Sequence, residues 1–296
     1  MKTLNELKEE MSQFGLDAYF DALAPMAKNS IQIKLDVQDD DDIPVGVSKF
    51  GGCPDLPAGV EWFRKKTPDR PLSFLAQINL AEAAPYDLDH KLPKNGMLYF
   101  FYDCSIDGMP WEYDPEDPDG WKVYFYEGDP ASLSRREALD ELDGYEIGIL
   151  FGSARMIFDA EVELARPESD LMDIIDLPDD EELQDRYWDW MYDDKDDFTF
   201  INKLLGHADP VQNGMEAECE YVINGLYYNT PDRYNVGRSK GLNNNVAHWN
   251  LLMQIDSNEE EIGMMWGDMG KLYLWITDED LAARKFENTL LVLQCG

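Results

Sequence analysis

The segment FLAQIN at residues 74–79 decides the fold class, because it recurs as LLMQID at residues 251–256. Each copy has the length and apolar content of a buried strand. Each copy also carries a glutamine and, two residues later, a second polar side chain. An amide inside a buried strand needs hydrogen-bond partners, because an unsatisfied buried polar group costs about 1–3 kcal/mol.

Alternation along a strand separates the polar side chains from the apolar ones. In the first copy it predicts that Phe74, Ala76 and Ile78 share one face. The opposite, polar faces of the two copies carry Gln77, Asn79, Gln254 and Asp256. Two interpretations remain open. Either the glutamines bond to the backbone of nearby loops, or the two polar faces meet and line a cleft for a small polar ligand.

Two further motifs recur in the same order around this strand. KFGG at residues 49–52 precedes the first copy, and KLLG at 203–206 precedes the second. GMLYFF at 96–101 follows the first copy, and GKLYLW at 270–275 follows the second. Three matches in one order predict a duplicated unit. We therefore predict a strand-rich α+β fold built from two related halves with approximate two-fold symmetry.

The rest of the chain is predicted to complete one continuous domain. Apolar residues at helical spacing from Leu4 to Phe14, resumed up to Pro25, predict an N-terminal helical hairpin packed on the core. The segments are the N-terminal helices (1–30), the first half (31–167), an acidic aromatic connecting segment (168–200) and the second half (201–296).

The charge balance restricts the class of partner. The chain has 61 acidic residues against 25 basic ones, a formal net charge of −36. Such a field repels nucleic acids and anionic lipid surfaces and favours basic proteins or cations as partners. Alternatively, the acidity serves only to keep the protein soluble. No apolar run is long enough to span a bilayer, and the N-terminus lacks the apolar core of a signal peptide. Four cysteines without a Cys-x-x-Cys pair indicate reduced thiols, so we expect a cytoplasmic protein.

Catalytic and cofactor motifs are not found in the sequence. It has no phosphate-binding glycine loop and no G-x-S-x-G elbow, and its three histidines lie at no metal-ligand spacing. The segment DPEDPDGW at residues 114–121 resembles a calcium loop, but Pro115 takes the first ligand position and Tyr126 the last. We predict no metal or cofactor site, and a non-enzymatic role is favoured.

Several motifs carry a resemblance to a known family: SKFGGCPDLP, PLSFLAQINLAE, GMLYFFYD, NKLLGHADPVQ, WNLLMQIDS and MMWGDMGKLYLWI. In their order the chain resembles the YwqG-like family of bacterial proteins, from Pro44 to Gly296. The resemblance implies an internally duplicated α+β fold and a cytosolic bacterial protein, but no particular activity. Some relatives lie among toxin–immunity genes, which favours a binding role.

Our first hypothesis is a non-enzymatic binding protein, such as an inhibitor or immunity-type partner of a basic protein. Its contact segment would be 168–198, where fourteen acidic and two basic residues surround several aromatic ones. Aromatic side chains would anchor the partner while carboxylates steer it. The candidate residues are Trp188, Trp190, Tyr192, Asp193, Asp194, Asp196 and Asp197. Alternatively, this segment is an acidic helix that packs its aromatic side chains inward.

Our second hypothesis is a protein or enzyme that binds a small polar ligand in a cleft between the two halves. Clefts at such interfaces are common ligand sites. The two lysines of the recurring K-x-x-G motif would lie near the polar faces if the repeat folds symmetrically. The candidate residues are Gln77, Asn79, Gln254, Asp256, Lys49 and Lys203.

Overall fold

The computed structural model describes residues 3–142, 148–192, 201–227 and 241–296. It confirms the prediction of a strand-rich α+β fold. The α-helices in the described part of the chain are α1 (Leu4–Gln13), α2 (Asp17–Leu23), α3 (Leu80–Ala83), α4 (Glu181–Tyr192), α5 (Glu216–Ile223), α6 (Glu259–Ile262) and α7 (Asp278–Ala282). Within these ranges, none of the helices combines the length and the apolar character needed to cross a membrane.

Ten strands form one antiparallel sheet in the order β14-β13-β12-β11-β1-β10-β2-β6-β7-β8. They are β1 (Lys28–Val37), β2 (Lys49–Phe50), β6 (Ser73–Asn79), β7 (Met97–Tyr102), β8 (Trp121–Tyr126), β10 (Ala154–Glu163), β11 (Asn202–Leu205), β12 (Trp249–Asp256), β13 (Lys271–Thr277) and β14 (Leu290–Gln294). Two small pairs lie outside this sheet and consist of β3 (Asp55–Leu56) with β9 (Ser134–Arg135), and β4 (Arg64–Lys66) with β5 (Asp69–Pro71).

The long strands β1 and β10 form the middle of the sheet. Their register runs without interruption from Lys28 opposite Glu163 to Val37 opposite Ala154. On its other side β1 pairs with β11, and β10 pairs with β2. β1, which is the first strand in the chain, therefore lies beside β11, which belongs to the C-terminal part of the chain.

The sheet curls until its edge strands approach each other. The Trp121 indole N–H on β8 donates to the Thr289 carbonyl just before β14, at 3.0 Å. Nearby, the ring centroids of Phe125 and Phe286 lie 5.0 Å apart. The main hydrophobic cluster draws buried residues from all ten strands, so it fills the inside of the curled sheet.

A β-bulge interrupts both copies of the recurring strand. It lies between Phe74 and Ala76 in β6, and between Leu251 and Met253 in β12. Leu75 consequently joins Ala76 in the main core, while Phe74 packs into a separate cluster on the outer face. The prediction that Phe74 shares the face of Ala76 is wrong, because a bulge adds a residue and reverses the alternation beyond it.

The N-terminal helices form a short pair that packs against α4. A capping box between Thr3 and Glu6 starts α1, and Gly15 with φ +69° separates the two helices. Their buried apolar side chains form one cluster with Leu164 and with Tyr187 and Met191 of α4. This packing holds the inner face of α4 and directs its opposite face to solvent.

Candidate functional site

The first predicted site residue, Gln77, lies at the centre of a buried polar cluster. Its Oε1 atom accepts the Asp55 backbone N–H at 2.9 Å. Its Nε2 atom donates to the Val47 carbonyl at 2.9 Å and to Asp55 Oδ2 at 2.7 Å. Both amide hydrogens are therefore used within the protein, and Gln77 bonds to loop backbone, as the first of the two interpretations predicts.

Lys49 and Arg135 bring positive charge to this first cluster. The buried Lys49 Nζ donates to the Cys53 carbonyl at 2.6 Å and forms an ion pair with Asp40. Arg135 Nε lies 2.9 Å from Asp55 Oδ1. Burial lowers the pKa of Lys49, and the hydrogen bond to Asp40 opposes this shift without cancelling it.

A second cluster surrounds Gln254 with the same set of bonds. Gln254 Oε1 accepts the Asp209 backbone N–H at 2.9 Å, and its Nε2 donates to the Ile201 carbonyl at 2.9 Å and to Asp209 Oδ2 at 3.1 Å. Lys203 Nζ lies 2.7 Å from Asp209 Oδ2 and 3.0 Å from Glu163 Oε1. Both glutamines thus fix the loop that follows a short strand, β2 in the first cluster and β11 in the second.

Charge compensation is stronger in the second cluster than in the first. Burial alone would raise the pKa of Asp209, but Arg166 and Lys203 hold it well below its usual range. Burial alone would lower the pKa of Lys203, but Asp209 and Glu163 outweigh it and raise that pKa. Lys203 is therefore held as a cation, whereas the pKa of Lys49 is lowered.

The other two predicted polar residues lie beside their own clusters. Asn79 accepts the Ala81 backbone N–H at 3.1 Å, capping α3, and donates to the Gly46 carbonyl at 2.7 Å. Asp256 accepts the Ile201 backbone N–H at 2.9 Å, and Lys271 Nζ lies 3.6 Å from its carboxylate. Both side chains therefore position local backbone.

The structure brings these six candidates together as two separate sets. Lys49, Gln77 and Asn79 lie on β2 and β6, and their counterparts Lys203, Gln254 and Asp256 lie on β11 and β12. In the sheet, β10 and β1 lie between β2 and β11. β2 and β11 are thus three strand spacings apart, which at roughly 4.8 Å per spacing is about 14 Å along the sheet. The two polar sets do not meet.

The predicted partner-binding aromatics lie on α4 and are divided between its faces. Trp188 and Tyr192 are 42% and 43% exposed, with ring centroids 5.3 Å apart. Trp190 is partly buried and stacks on Tyr187 at 5.7 Å. The i, i+4 spacing explains the exposed pair. Asp193, Asp194, Asp196 and Asp197 lie outside the described residues.

The exposed pair belongs to a surface pocket that the sequence alone did not reveal. Phe14, at the end of α1 and 42% exposed, lines it together with Arg186, Trp188, Asp189 and Tyr192. We call this surface the α4 aromatic pocket. Phe14 ends the apolar stripe of α1, but nothing local to that helix indicates which part of the chain it approaches.

Tyr192 has a defined orientation in the α4 aromatic pocket. Its hydroxyl donates to Glu168 Oε1 at 2.6 Å, and the Arg166 guanidinium lies 5.8 Å from its ring centroid. Burial and the Glu168 carboxylate raise the pKa of Tyr192. Since Arg166 also pairs with Asp209, the pocket is connected to the second buried cluster.

The comparisons with known proteins identify a family without assigning an activity. A search of curated proteins finds no match. A family model described as "Domain of unknown function (DUF1963)" matches residues 48–295. The match includes both glutamines, both lysines and α4, while α1, α2, β1 and the Asp40 and Val47 partners of the first cluster lie outside it. The chain therefore belongs to the DUF1963 family.

Proposed function

We propose that this chain is a non-enzymatic binding protein for a basic protein partner, of the inhibitor or immunity type, and that the α4 aromatic pocket is its contact surface. The observation that carries the proposal is the exposure of Trp188 and Tyr192 beside Phe14. Clustered exposed aromatics are typical of interaction sites, and aromatic residues are enriched among the side chains that dominate interface energies.

The charge around the α4 aromatic pocket supports a basic partner. Four acidic residues of α4 are exposed, namely Glu181, Glu182, Asp185 and Asp189. Arg186 forms an ion pair with Glu182 at 2.5 Å, so it offsets only one of these charges. Exposed carboxylates on the helix that carries the aromatic pair steer a basic protein into contact and accelerate association at low salt.

The alternative hypothesis, a small-ligand site at the two glutamines, has less support. Gln77 and Gln254 are completely buried, and both amide hydrogens of each are engaged by protein atoms. A ligand would have to displace these bonds and leave buried groups without partners. We therefore assign the two buried clusters a structural role in fixing loops.

We also propose that the chain arose by internal duplication, as the YwqG-like resemblance implies. Across the strands, Lys49 faces Gln77, which faces Tyr99. The same register recurs in Lys203, Gln254 and Tyr273. In both sets the tyrosine hydroxyl donates to an aspartate carbonyl, Tyr99 to Asp55 at 2.5 Å and Tyr273 to Asp209 at 2.7 Å.

The sheet order supports a duplication in which the first strand of each half is exchanged. Outward from the centre, β10-β2-β6-β7-β8 corresponds to β1-β11-β12-β13-β14. β1 is the first strand of the first half, yet it pairs with β11 of the second half. β10 is the first strand of the second half, and it pairs with β2 of the first half. This proposal moves the boundary between the halves from residue 167 to just before Ala154.

A reducing compartment, the cytoplasm, is the location we propose. All four cysteines are unpaired, and three of them are buried. Burial raises the pKa of the Cys104 and Cys219 thiols, so they stay protonated and unreactive near neutral pH. A chain with inert thiols and no disulfide suits an environment that keeps cysteines reduced.

Binding can be tested by capture from a lysate of the source organism with three forms of the protein. They are the wild type, the pocket variant Trp188→Ser with Tyr192→Ser, and a control, Val37→Ser with Ile157→Ser, which removes exposed apolar side chains elsewhere. We expect the wild type and the control to retain one basic protein that salt releases, and the pocket variant to lose it. Equal retention by all three forms, or retention of no basic protein, would contradict the proposal.

A further inference from the structure

A second surface feature, distinct from the α4 aromatic pocket, is a cleft of about 1100 Å³ along the edge strand β14. One wall is the 107–117 segment of the loop between β7 and β8, and the other is the 212–214 segment that precedes α5. Val292, Leu293 and Gln294 of β14 form its floor. Its volume exceeds the roughly 300–1,000 Å³ typical of a small-molecule site.

Hydrogen bonds to the sheet hold both walls of this β14 cleft in place. The Leu293 backbone N–H donates to the Trp111 carbonyl at 2.7 Å, and the Tyr102 hydroxyl donates to the Pro110 carbonyl at 2.5 Å. On the opposite wall, Gln294 Oε1 accepts the Gln212 backbone N–H at 3.0 Å, and its Nε2 donates to the Asn213 carbonyl at 2.9 Å. The cleft is therefore preformed, which lowers the cost of ordering it on binding.

The lining of the β14 cleft is strongly acidic. Its carboxylates are Asp107, Glu112, Asp114, Glu116, Asp117 and Glu218. The described residues that line it include no lysine, arginine or histidine. Asp117 forms an ion pair with Lys65 at 2.5 Å, outside the lining. Among described residues no three carboxylate, His or Cys side chains converge as metal ligands, so the acids are spread along the cleft rather than focused on one point.

Aromatic rings line the β14 cleft next to these acids. The Trp111 side chain is 53% exposed although its carbonyl is held by β14. Tyr113 packs edge-on against Trp121, with centroids 6.1 Å apart, and lies 5.8 Å from Tyr227. An exposed indole beside carboxylates suits the cationic heads of lysine and arginine through cation–π contact, while their aliphatic stems cover the ring.

We propose that the β14 cleft binds an extended peptide segment rich in lysine and arginine. Its volume, its acidic lining and the exposed Trp111 ring all match such a segment. This proposal rests on the proposed function in one respect, namely that the partner is positively charged. It adds a second contact surface, which is separate from the α4 aromatic pocket.

The test uses a short fluorescent peptide that alternates lysine and serine, with a glutamate–serine peptide as the charge control. The cleft variant is Asp114→Asn with Glu116→Gln, and its matched control is Glu259→Gln with Glu260→Gln on α6, also exposed. We expect Kd for the lysine peptide to rise about fivefold in the cleft variant. Each exposed ion pair strengthens binding by a factor of up to about five, and the variant removes two carboxylates that can form one. The α6 control should bind like the wild type.

A third variant, Trp111→Ala, tests the aromatic contribution. It removes an exposed ring and keeps the backbone bond to Leu293, so the fold should be retained. We expect weaker binding of the lysine peptide by about threefold, at the low end of cation–π contributions at exposed sites. Unchanged binding in both the Trp111 and the cleft variants would overturn the proposal.

Three further outcomes distinguish the cleft assignment from the proposed function and from another ligand class. Loss of peptide binding in the α4 variant (Trp188→Ser with Tyr192→Ser), but not in the cleft variant, would overturn the cleft assignment and leave the basic-partner proposal standing. Binding of spermine as tight as that of the lysine peptide would show that the cleft recognises small polyamines, which also overturns the peptide assignment. If the peptide binds at the cleft but the α4 aromatic pocket captures no basic protein, the cleft proposal is supported and the proposed function is contradicted.

Discussion

Gln77 and Asp55 are joined by two hydrogen bonds in opposite directions. Gln77 Nε2 donates to Asp55 Oδ2 at 2.7 Å, and the Asp55 backbone N–H donates to Gln77 Oε1 at 2.9 Å. Gln254 and Asp209 repeat this relationship, at 3.1 Å and 2.9 Å. In both places a strand glutamine holds the start of a loop whose aspartate also pairs with an arginine.

Replacing Gln77 with leucine should destabilise the protein. The substitution leaves the Asp55 N–H, the Val47 carbonyl and the Asp55 carboxylate short of partners inside the protein. We expect a loss of about 3 kcal/mol in the free energy of unfolding, measured by urea denaturation. Gln254→Leu should cost a similar amount, while the exposed control Gln13→Leu should change stability by less than about 0.5 kcal/mol. A loss at Gln77 no larger than at Gln13 would refute the structural role.

Removing the carboxylate of Asp209 should be more harmful than removing the amide of Gln254. Asp209 accepts from both Arg166 and Lys203, so Asp209→Ala leaves two buried cations with Glu163 as their remaining nearby carboxylate. Breaking a buried ion pair typically costs about 3–5 kcal/mol. Thermal and urea unfolding would measure this loss. An unchanged free energy of unfolding in Asp209→Ala would contradict this prediction, because it would mean that water solvates Arg166 and Lys203 better than their burial indicates.

His207 should make the protein less stable as the pH falls below neutrality. Burial, together with the nearby charges of Lys28 and Lys203, holds the pKa of His207 well below 6.5. Above pH 6.5 the imidazole is neutral in both the folded and the unfolded chain. Below it the unfolded chain gains a proton that the folded one does not, so stability falls by up to about 1.4 kcal/mol per pH unit.

The measurement for His207 is the difference in unfolding free energy between the wild type and His207→Gln at several pH values. Glutamine can keep a hydrogen bond to the Met26 carbonyl, which the imidazole contacts at 2.9 Å. We expect the wild type to lose stability relative to the variant from pH 6.5 to pH 5. His90→Gln, at an exposed histidine, is the matched control for the loss of an imidazole. Parallel pH curves for wild type and His207→Gln would disprove the burial argument.

Asp170 should produce the opposite pH dependence. Burial, with an added contribution from the Glu216 charge, raises its pKa from 3.8 to about 6. The folded chain therefore binds a proton that the unfolded chain has lost, and this stabilisation, complete below pH 3.8, disappears as the pH rises through about 6. At neutral pH the partly buried Asp170 carboxylate and the neighbouring buried Glu216 carboxylate repel each other.

The variant Asp170→Asn should therefore be more stable than the wild type at pH 7.5 and no more stable at pH 4. Asparagine can still accept the Ala217 N–H, which Asp170 accepts at 2.8 Å. We expect a gain of about 3 kcal/mol at pH 7.5, because the pKa rises from 3.8 to about 6 and each pKa unit corresponds to about 1.4 kcal/mol. Asp176→Asn, at an exposed carboxylate of the same segment, is the matched control. A gain that did not depend on pH would point to packing instead of charge.

What the sequence by itself determined is the class of the fold and the burial of its recurring strand. Alternating apolar residues, turn residues and the motif shared by residues 74–79 and 251–256 indicate a strand-rich α+β chain. These signals are local, because side-chain alternation and turn propensity act over a few residues. The need of Gln77 for partners also follows from the sequence, since a buried amide must be satisfied.

Only the tertiary structure decided which groups meet. The bulge that turns Phe74 to the outer face, the position of β1 beside β11 and the approach of Phe14 to Trp188 all depend on strand register and on packing between distant segments. Many registers satisfy the same apolar pattern, and the choice between them is made by the whole core. The sequence therefore indicated polar faces in both halves, while packing placed two strands between them and left Trp188 and Tyr192 of α4 exposed.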